Sequence, residues 1–489
     1  MSAEAGSALR FILNDEDVSL TALKATETLL DYLRLTKRLR GSKEGCAEGD
    51  CGACTVLVGR LKGGGLVYES VNACICFVGS LHGTHVVTIE HLSAADGPLH
   101  PVQQAMVDHH GSQCGFCTPG IVMSLYGLWM QNPHPGAAET ERALQGNLCR
   151  CTGYAPILKA ANAISSYSAV ERDRLVAERA AIMARLKALD DGVSVDIGEG
   201  KDRLFVPGSV DELAEFYAAH PEGTLVSGAT DVGLWVTKFM RDIGPMIYIG
   251  HLKGLHGIEE AGGALKLGAG VTYSEAGAAI ARHFPQLTEL WDRIGGAQVR
   301  NVGTIGANIA NGSPIGDTPP PLIVLGASIT LRKGGERREV KLKDYFVAYG
   351  KQDRQKGEFV ESVSIPYLPA GEHLACYKIT KRKDEDISAL CGAFRLFVTD
   401  DGNVGMARIA FGGMAATPKR ARAVEAALVG KPWTSATVEA AIAAFATDYQ
   451  PISDMRASAE YRLLAAQNLL RRFHLETIGE GQRLKRAVA

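Results

Sequence analysis

Alternating apolar and polar positions open the chain. Leu9-Arg10-Phe11-Ile12-Leu13 reads as a strand, Asn14-Asp15-Glu16-Asp17 as a turn, and Thr28-Leu29-Leu30-Asp31-Tyr32-Leu33 as a helix. A hairpin is predicted between Cys54 and Cys74, and helical periodicity runs over Ile121 to Gln131 and Thr140 to Leu144. Val170 to Leu189, rich in Arg, Glu and Ala, predicts a charged surface helix serving as a linker. Composition changes at Asp190-Asp191-Gly192. Phe205-Val206-Pro207-Gly208 then leads into Ser209-Val210-Asp211-Glu212, where Ser209 and Glu212 predict a capping box, so a new domain begins near Ser194. Further on, one strand ends at Ile365-Pro366, two more span Ser388 to Val398 and Val404 to Gly412, and helices follow at Lys419 to Leu428, Thr437 to Phe445 and Ser458 to Phe473. Mixed elements in this order predict a multidomain α+β chain.

Length agrees: 489 residues at roughly 100 to 200 per domain give about three domains. Lys plus Arg number 52 against 54 Asp plus Glu, a net charge of -2, so no global field exists to hold nucleic acid or an anionic membrane. Acidic and polar residues near the start (Glu4, Asn14, Asp15, Glu16, Asp17) do not read as a signal peptide, and no segment predicts a membrane span. The expected compartment is the cytoplasm.

The 11 cysteines are unevenly spread: nine lie between Cys46 and Cys151, and only Cys376 and Cys391 follow. In a reducing compartment such clustering points first to metal or redox chemistry. Cys46, Cys51 and Cys54 have the C-x4-C-x2-C spacing of plant-type [2Fe-2S] centres, and glycines 45, 49 and 52 allow a tight loop around a cluster. Cys74 and Cys76 both lie where a hairpin can return a fourth ligand, and spacing leaves the choice open. The second group, Cys114 and Cys117 with Cys149 and Cys151, pairs a CxxC with a CxC. CxxC alone would favour structural zinc; the CxC and the ferredoxin-spaced neighbour favour iron and sulfide.

Neither a G-x-G-x-x-G after a strand nor a G-x-x-x-x-G-K-[ST] occurs in the domain after Ser194. Phosphate must be held another way. Two glycine-rich turns follow apolar runs, Leu225-Val226-Ser227-Gly228-Ala229-Thr230-Asp231-Val232-Gly233 and Val302-Gly303-Thr304-Ile305-Gly306-Ala307-Asn308-Ile309-Ala310. Successive N–H groups in such turns make anion-binding nests.

The two cysteine groups in this order, with Gly45 to Val56, Gln113 to Gly120 and Gly146 to Tyr154, resemble the iron-sulfur half of the molybdenum hydroxylases, the xanthine dehydrogenase family. That resemblance implies a β-grasp [2Fe-2S] domain over 1–92 and a four-helix [2Fe-2S] domain over 93–168. A linker over 169–193, a two-part α+β FAD-binding domain over 194–373 and a C-terminal α+β domain over 374–489 complete it. The ligands it implies are Cys46, Cys51, Cys54 and Cys74 for one cluster and Cys114, Cys117, Cys149 and Cys151 for the other. For FAD it implies Leu225, Val226, Ser227, Gly228, Ala229, Thr230, Asp231 and Val232 around the pyrophosphate, with Thr304, Ile305, Gly306, Ala307 and Asn308 as a second wall. Asp317 matches a carboxylate that accepts from an FAD hydroxyl, Val360 lies against the flavin by backbone contact, and Lys378 stands beside it. Ala229, Ala307 and Ile294 depart from residues common in relatives. Arg382-Lys383-Asp384-Glu385-Asp386-Ile387 resembles the loop at the flavin edge where nicotinamide docks.

The large molybdopterin domain has no room in this chain and is expected on a separate polypeptide, in a dimer of heterodimers. The resemblance implies the electron-transfer subunit of a xanthine dehydrogenase, exporting electrons from hypoxanthine or xanthine oxidation through two clusters and FAD to NAD+. No residue here is assigned a catalytic role. The alternatives are the same relay serving an aldehyde, nicotinate, aromatic acyl-CoA or carbon monoxide oxidising partner, and a zinc-stabilised flavin-binding interaction module.

Overall fold

The computed structural model describes residues 6, 8–93 and 96–481; the outermost bounds of the expected first and last domains lie outside the described residues. Strands Leu9–Leu13, Glu16–Leu20, Thr55–Lys62, Gly65–Asn72 and His85–Val87 form one sheet in the order second, first, fifth, third, fourth. The first strand runs parallel to the fifth and antiparallel to the second. The turn between the first two is tighter than expected, because Asn14 takes φ 53° and Glu16 and Asp17 already pair across to Leu13 and Ile12. Gly63 and Gly64, at φ 56° and 82°, close a two-residue hairpin that pairs Lys62 with Gly65 and Thr55 with Asn72. That register returns the chain to Cys54, so Ala73 N–H donates to the Cys54 carbonyl.

Four helices follow, Pro101–Asp108, Thr118–Gln131, Ala137–Leu144 and Ala155–Tyr167. Thr118–Gln131 is apolar on all sides and buried, the composition of a central helix. The expected surface linker is corrected here. Residues 170–189 form a short turn and two helices, Arg174–Ala177 and Arg179–Leu189, whose Leu175, Ile182 and Leu186 are buried in the helical domain's core. Ile182 and Leu186, four residues apart, share one face of the second helix and Leu175 comes from the first, and the surrounding charge hides all three from a composition reading. Asp173 fixes the docking by accepting from Leu175 N–H and from the Tyr126 hydroxyl at 2.9 Å each.

The next unit has two parts. A four-stranded sheet orders Val195–Ile197, Leu204–Val206, Met246–Tyr248 and Thr224–Val226, and a five-stranded sheet orders Ile258–Ala261, Ala264–Gly268, Phe359–Pro366, Ser328–Lys333 and Glu336–Lys341. Ser209 caps helix Val210–Ala219 by accepting from Glu212 N–H, but Glu212 turns outward to Ser194 and Gly208, so only half the expected box forms. The last unit packs Glu372–Ile379, Leu390–Val398 and Val404–Gly412 against helices Arg422–Leu428, Ser435–Ile442, Phe445–Asp448 and Ala459–Thr477. Lys419–Arg420 is an edge strand rather than a helix start, since Arg420 pairs with Ala410. Among the described residues no helix is long and apolar enough to cross a membrane.

Candidate functional site

The loop from Gly45 to Cys54 wraps a point at the end of the first sheet. Ala47, Gly49 and Gly52 all have positive φ, and a Cβ at Gly52 would fall 2.0 Å from the Gly146 carbonyl oxygen. Cys46 lies within hydrogen-bond reach of Cys51 and Cys74, and Cys54 within reach of Cys74. N–H groups of Glu48, Asp50 and Cys51 approach Cys46 Sγ at 3.5, 3.4 and 3.4 Å, donors suited to a sulfur bearing negative charge. Asn72 braces the loop by donating to Gly49 O at 2.7 Å. Cys76 faces away: its Sγ sits 3.4 Å from Ser80 Oγ in the core.

The second group forms at the N-terminus of Thr118–Gln131 and in the loop before Ala155–Tyr167. Cys117 meets Cys149, and Cys114 meets Cys151. Gly115, Gly153 and Tyr154 take positive φ, and the Tyr154 hydroxyl accepts from Cys149 N–H at 3.0 Å. Cys114 and Cys151 are exposed, whereas Cys54 and Cys74 are buried. Among the described residues no three His, Cys, Asp or Glu side chains gather as a single ion requires. The four thiols of the first group are linked through Cys46 and Cys74 and those of the second stand in two pairs, each set suited to a four-thiolate, two-iron cluster. The two loops touch directly, with Leu148 N–H donating to Cys51 O at 3.0 Å.

A cavity of about 380 Å³ lies between the two parts of the α+β unit. Leu225, Ser227, Gly228, Ala229, Thr230, Asp231 and Val232 line one side, and Thr304, Gly306, Ala307, Asn308 and Val360 line the other. Val226 and Ile305 are buried in the core instead. The two turns approach so closely that a Cβ on Gly228 would fall 1.8 Å from Val302 O. Ala229 adopts the left-handed region at φ 56°, where Asn is more readily accommodated.

Among the described residues no protein acceptor is found for the N–H groups of Gly228, Ala229, Thr230 and Asp231, and Ser227 Oγ is buried without a partner. These donors fit a phosphate. The second turn differs from the expected nest: N–H groups of Ile305 and Gly306 donate to Val271 and Ala269, and Ala307 N–H to Thr304 Oγ1. It contributes shape and the Asn308 side chain, whose Oδ1 already accepts from Thr318 at 2.6 Å.

Asp317 and Lys378 are not among the residues lining this cavity. They pair with one another, and Lys378 Nζ also donates to Arg293 O at 3.0 Å. The charged loop that follows is not a free solvated loop. Arg382 reaches Asp50 Oδ1 at 3.2 Å beside the first cysteine loop, and Gln145 Nε2 donates to Asp384 Oδ1 at 3.1 Å. Glu385 is buried between them, and burial first, then the Asp50 charge, pushes its carboxyl up to about 8.

Comparison with known proteins follows the same division. Four family descriptions match in order: "2Fe-2S iron-sulfur cluster binding domain" over 11–79, "[2Fe-2S] binding domain" over 88–162, "FAD binding domain in molybdopterin dehydrogenase" over 199–368, and "CO dehydrogenase flavoprotein C-terminal domain" over 375–477. The chain belongs to the molybdenum hydroxylase family. Within it, the chain carries the two [2Fe-2S] domains and the FAD-binding domain. It is 30% identical to the xanthine dehydrogenase of Emericella nidulans and 32% identical to the xanthine dehydrogenase/oxidase of Rattus norvegicus, each over 98% of this chain. The chain spans 39% of the length of each of those two relatives.

Among solved structures, carbon monoxide dehydrogenase from Hydrogenophaga pseudoflava lacking the Mo-pyranopterin moiety is 28% identical, with a TM-score of 0.52 over 55% of this chain and 94% of that one. Quinoline 2-oxidoreductase from Pseudomonas putida 86 is 26% identical, with a TM-score of 0.51 over 57% and 97%.

Several residues at these sites escape a sequence reading. Arg354 lines the cavity as a cation, its Nη1 donating to Glu358 O at 3.2 Å, yet it sits in an unremarkable polar loop far from either glycine turn. Trp235 donates to Asp231 Oδ2 at 3.0 Å, a helical spacing of four that could have been noticed. Gln298, buried where three units meet, carries no motif at all.

Proposed function

We propose that this chain is the electron-exporting part of an NAD-dependent xanthine dehydrogenase, working in the cytoplasm with a separate molybdopterin polypeptide that oxidises hypoxanthine or xanthine, in a dimer of heterodimers. Cys46, Cys51, Cys54 and Cys74 hold one [2Fe-2S] cluster, and Cys114, Cys117, Cys149 and Cys151 hold the other. The single observation that carries the reading is the contact of the two cysteine loops, Leu148 N–H on Cys51 O at 3.0 Å, which brings two four-thiol sites side by side. When bound, the clusters supply one-electron transfer and FAD supplies the exchange between single electrons and a hydride pair.

The chain's own residues fix those groups. The free N–H groups of 228–231 and Ser227 hold the pyrophosphate, Gly228 lets the turns close on it, and Arg354 offsets its charge. Val360 on strand Phe359–Pro366 offers backbone contact to the flavin. Lys378 and Asp317 anchor the strand that leads to the charged loop at the nicotinamide side. The exposed Cys114–Cys151 pair, with Phe116 half exposed beside it, faces the partner polypeptide.

Contiguous similarity to xanthine dehydrogenases over 98% of the chain supports the purine substrate. The likeness to carbon monoxide dehydrogenase and quinoline 2-oxidoreductase favours a second reading, the same relay beside a different partner. Both parts are tested on the complex purified with its native partner. NADH added without oxygen should bleach the flavin and bring up cluster EPR signals, and xanthine should reduce the same centres while carbon monoxide and quinoline do not. Failure of NADH removes the acceptor; reduction by another substrate alone removes the purine.

A further inference from the structure

Three parts of the chain converge on one buried side chain. Gln298 lies in the short helix Ala297–Arg300, immediately before the second wall of the flavin cavity, and is 1% exposed. Its Nε2 donates to Asn147 Oδ1 at 2.8 Å, to Thr55 Oγ1 at 3.2 Å and to Ser124 Oγ at 3.3 Å. Each acceptor belongs to a cysteine loop or its support. Asn147 stands two residues before Cys149, and its Nδ2 donates to Gly52 O at 3.1 Å between Cys51 and Cys54. Thr55 follows Cys54 and donates to the same Gly52 O at 2.6 Å. Ser124 stands one helical turn past Cys117–Gly120 and donates to Asn147 Oδ1 at 2.6 Å.

Among the described residues no other side chain in this cluster comes from the flavin-binding unit; Lys238 meets Glu48 of the first cysteine loop at 2.9 Å and Asn301 donates to Ser70 O at 3.0 Å elsewhere, while Gln298 bonds the supports of both cysteine loops at once. The backbone has made room for it. Gly146 and Gly296 approach until a Cβ on Gly296 would fall 2.5 Å from the Gly146 Cα, and a Cβ on Gly146 would fall 2.1 Å from Gln298 Oε1. The amide's donor end, its two N–H groups shared among three acceptors, is costly to leave unpaired and specific in direction, while Oε1 has no partner among the described residues. An apolar contact of equal area would hold the units together without fixing where they stop. Arg300, two residues on, adds an outer clasp through Gln145 Oε1 at 2.9 Å.

We propose that Gln298 is a positioning residue that sets the distance and orientation of the flavin unit relative to both iron-sulfur loops, and through Asn147 those of the two loops to each other. This rests on the relay reading above. It assigns the residue to none of the cofactors: it acts through Gly52, Asn147 and Thr55. Electron transfer between fixed centres depends steeply on their separation, so loss of the amide should slow transfer without altering the centres themselves.

The test uses the full complex and Gln298→Met, which keeps length and loses the donors. Flash photoreduction of the flavin, followed by the rate at which clusters and flavin equilibrate, should show a fall of about tenfold or more. The dipolar splitting between the two reduced clusters in EPR should change, while iron, sulfide and FAD contents and the midpoint potentials stay at wild-type values. An unchanged rate and splitting overturn the proposal, as does a slowed rate explained by shifted potentials. If Gln298→Met does not accumulate, Gln298→Glu replaces it. Its carboxyl can donate to Asn147 only when protonated, so transfer should recover towards the wild-type rate as pH falls, and a flat profile overturns the proposal. A wild-type complex that contains both clusters and flavin but equilibrates no electrons between them refutes the relay itself, a result distinct from failure of the variant.

Discussion

Lys378 Nζ lies 2.6 Å from Asp317 Oδ2, with the two side chains only 3% and 10% exposed. Ser388 Oγ donates to the other oxygen, Asp317 Oδ1, at 2.5 Å. The pair joins the segment after the second glycine turn to the strand Glu372–Ile379, and so ties the cavity-bearing unit to the last one.

Removing one member leaves the other as an uncompensated buried charge. Lys378→Met or Asp317→Asn should each cost about 3 to 5 kcal/mol, and the double variant less than the sum. Thermal or denaturant unfolding of the three variants checks this, with FAD content measured alongside. Independent, additive losses would mean the pair is not coupled.

The fourth thiol of the first group separates cleanly from its neighbour. Cys74 meets Cys46 and Cys54, while Cys76 is bonded to Ser80. Cys74→Ser should halve iron and sulfide and erase one of two EPR signals, and Cys76→Ser should leave both. The reverse pattern would exchange their roles.

At the cavity, Gly228 and Ala229 should respond in opposite ways to changes of one methyl group. Gly228→Ala drives a Cβ into Val302 O and should cost about 1 to 3 kcal/mol together with most of the bound FAD. Ala229→Gly relieves a left-handed alanine and should be neutral or stabilising. Flavin absorbance after gel filtration, with cluster absorbance as internal control, reads both.

Glu385 gives a pH dependence with a definite sign. Burial, then Asp50, raises its carboxyl from 4.5 to about 8 against the pull of Arg300, Arg382 and Lys378. Between those values the folded protein keeps a proton that the unfolded chain has released, so its contribution to stability falls as pH rises through that window. Glu385→Gln should therefore gain in melting temperature over wild type as pH is raised from about 5 to about 8.5. A gap that stays constant or narrows would contradict the assignment.

How much of this could be read in advance follows the range of the interactions. The grouping of the cysteines was legible because their spacing is local, whereas the choice of Cys74 over Cys76 came from family resemblance and not from spacing, the two lying together just past the hairpin that Gly63 and Gly64 close. The two-part flavin unit was legible from its paired glycine turns and from family resemblance. What the second turn does with its N–H groups was not, since their acceptors, Val271 and Ala269, sit just past the strand Ala264–Gly268, more than thirty residues away. Docking of residues 170–189 was masked by charge around three apolar positions. Gln298 was invisible, its partners being 151, 174 and 243 residues distant in sequence. The charged loop after Lys378 was read for its charge, while its contacts with Asp50 and Gln145 depend on how whole units meet.

The eight thiols are proposed to form two iron-sulfur sites beside a flavin. Iron, acid-labile sulfide, zinc and FAD measured per chain on freshly purified protein, with EPR after dithionite reduction, test it most directly. About four iron, four sulfide and one FAD, with two distinguishable [2Fe-2S] signals, are predicted. Stoichiometric zinc with little iron, in a preparation protected against cluster loss, would contradict it.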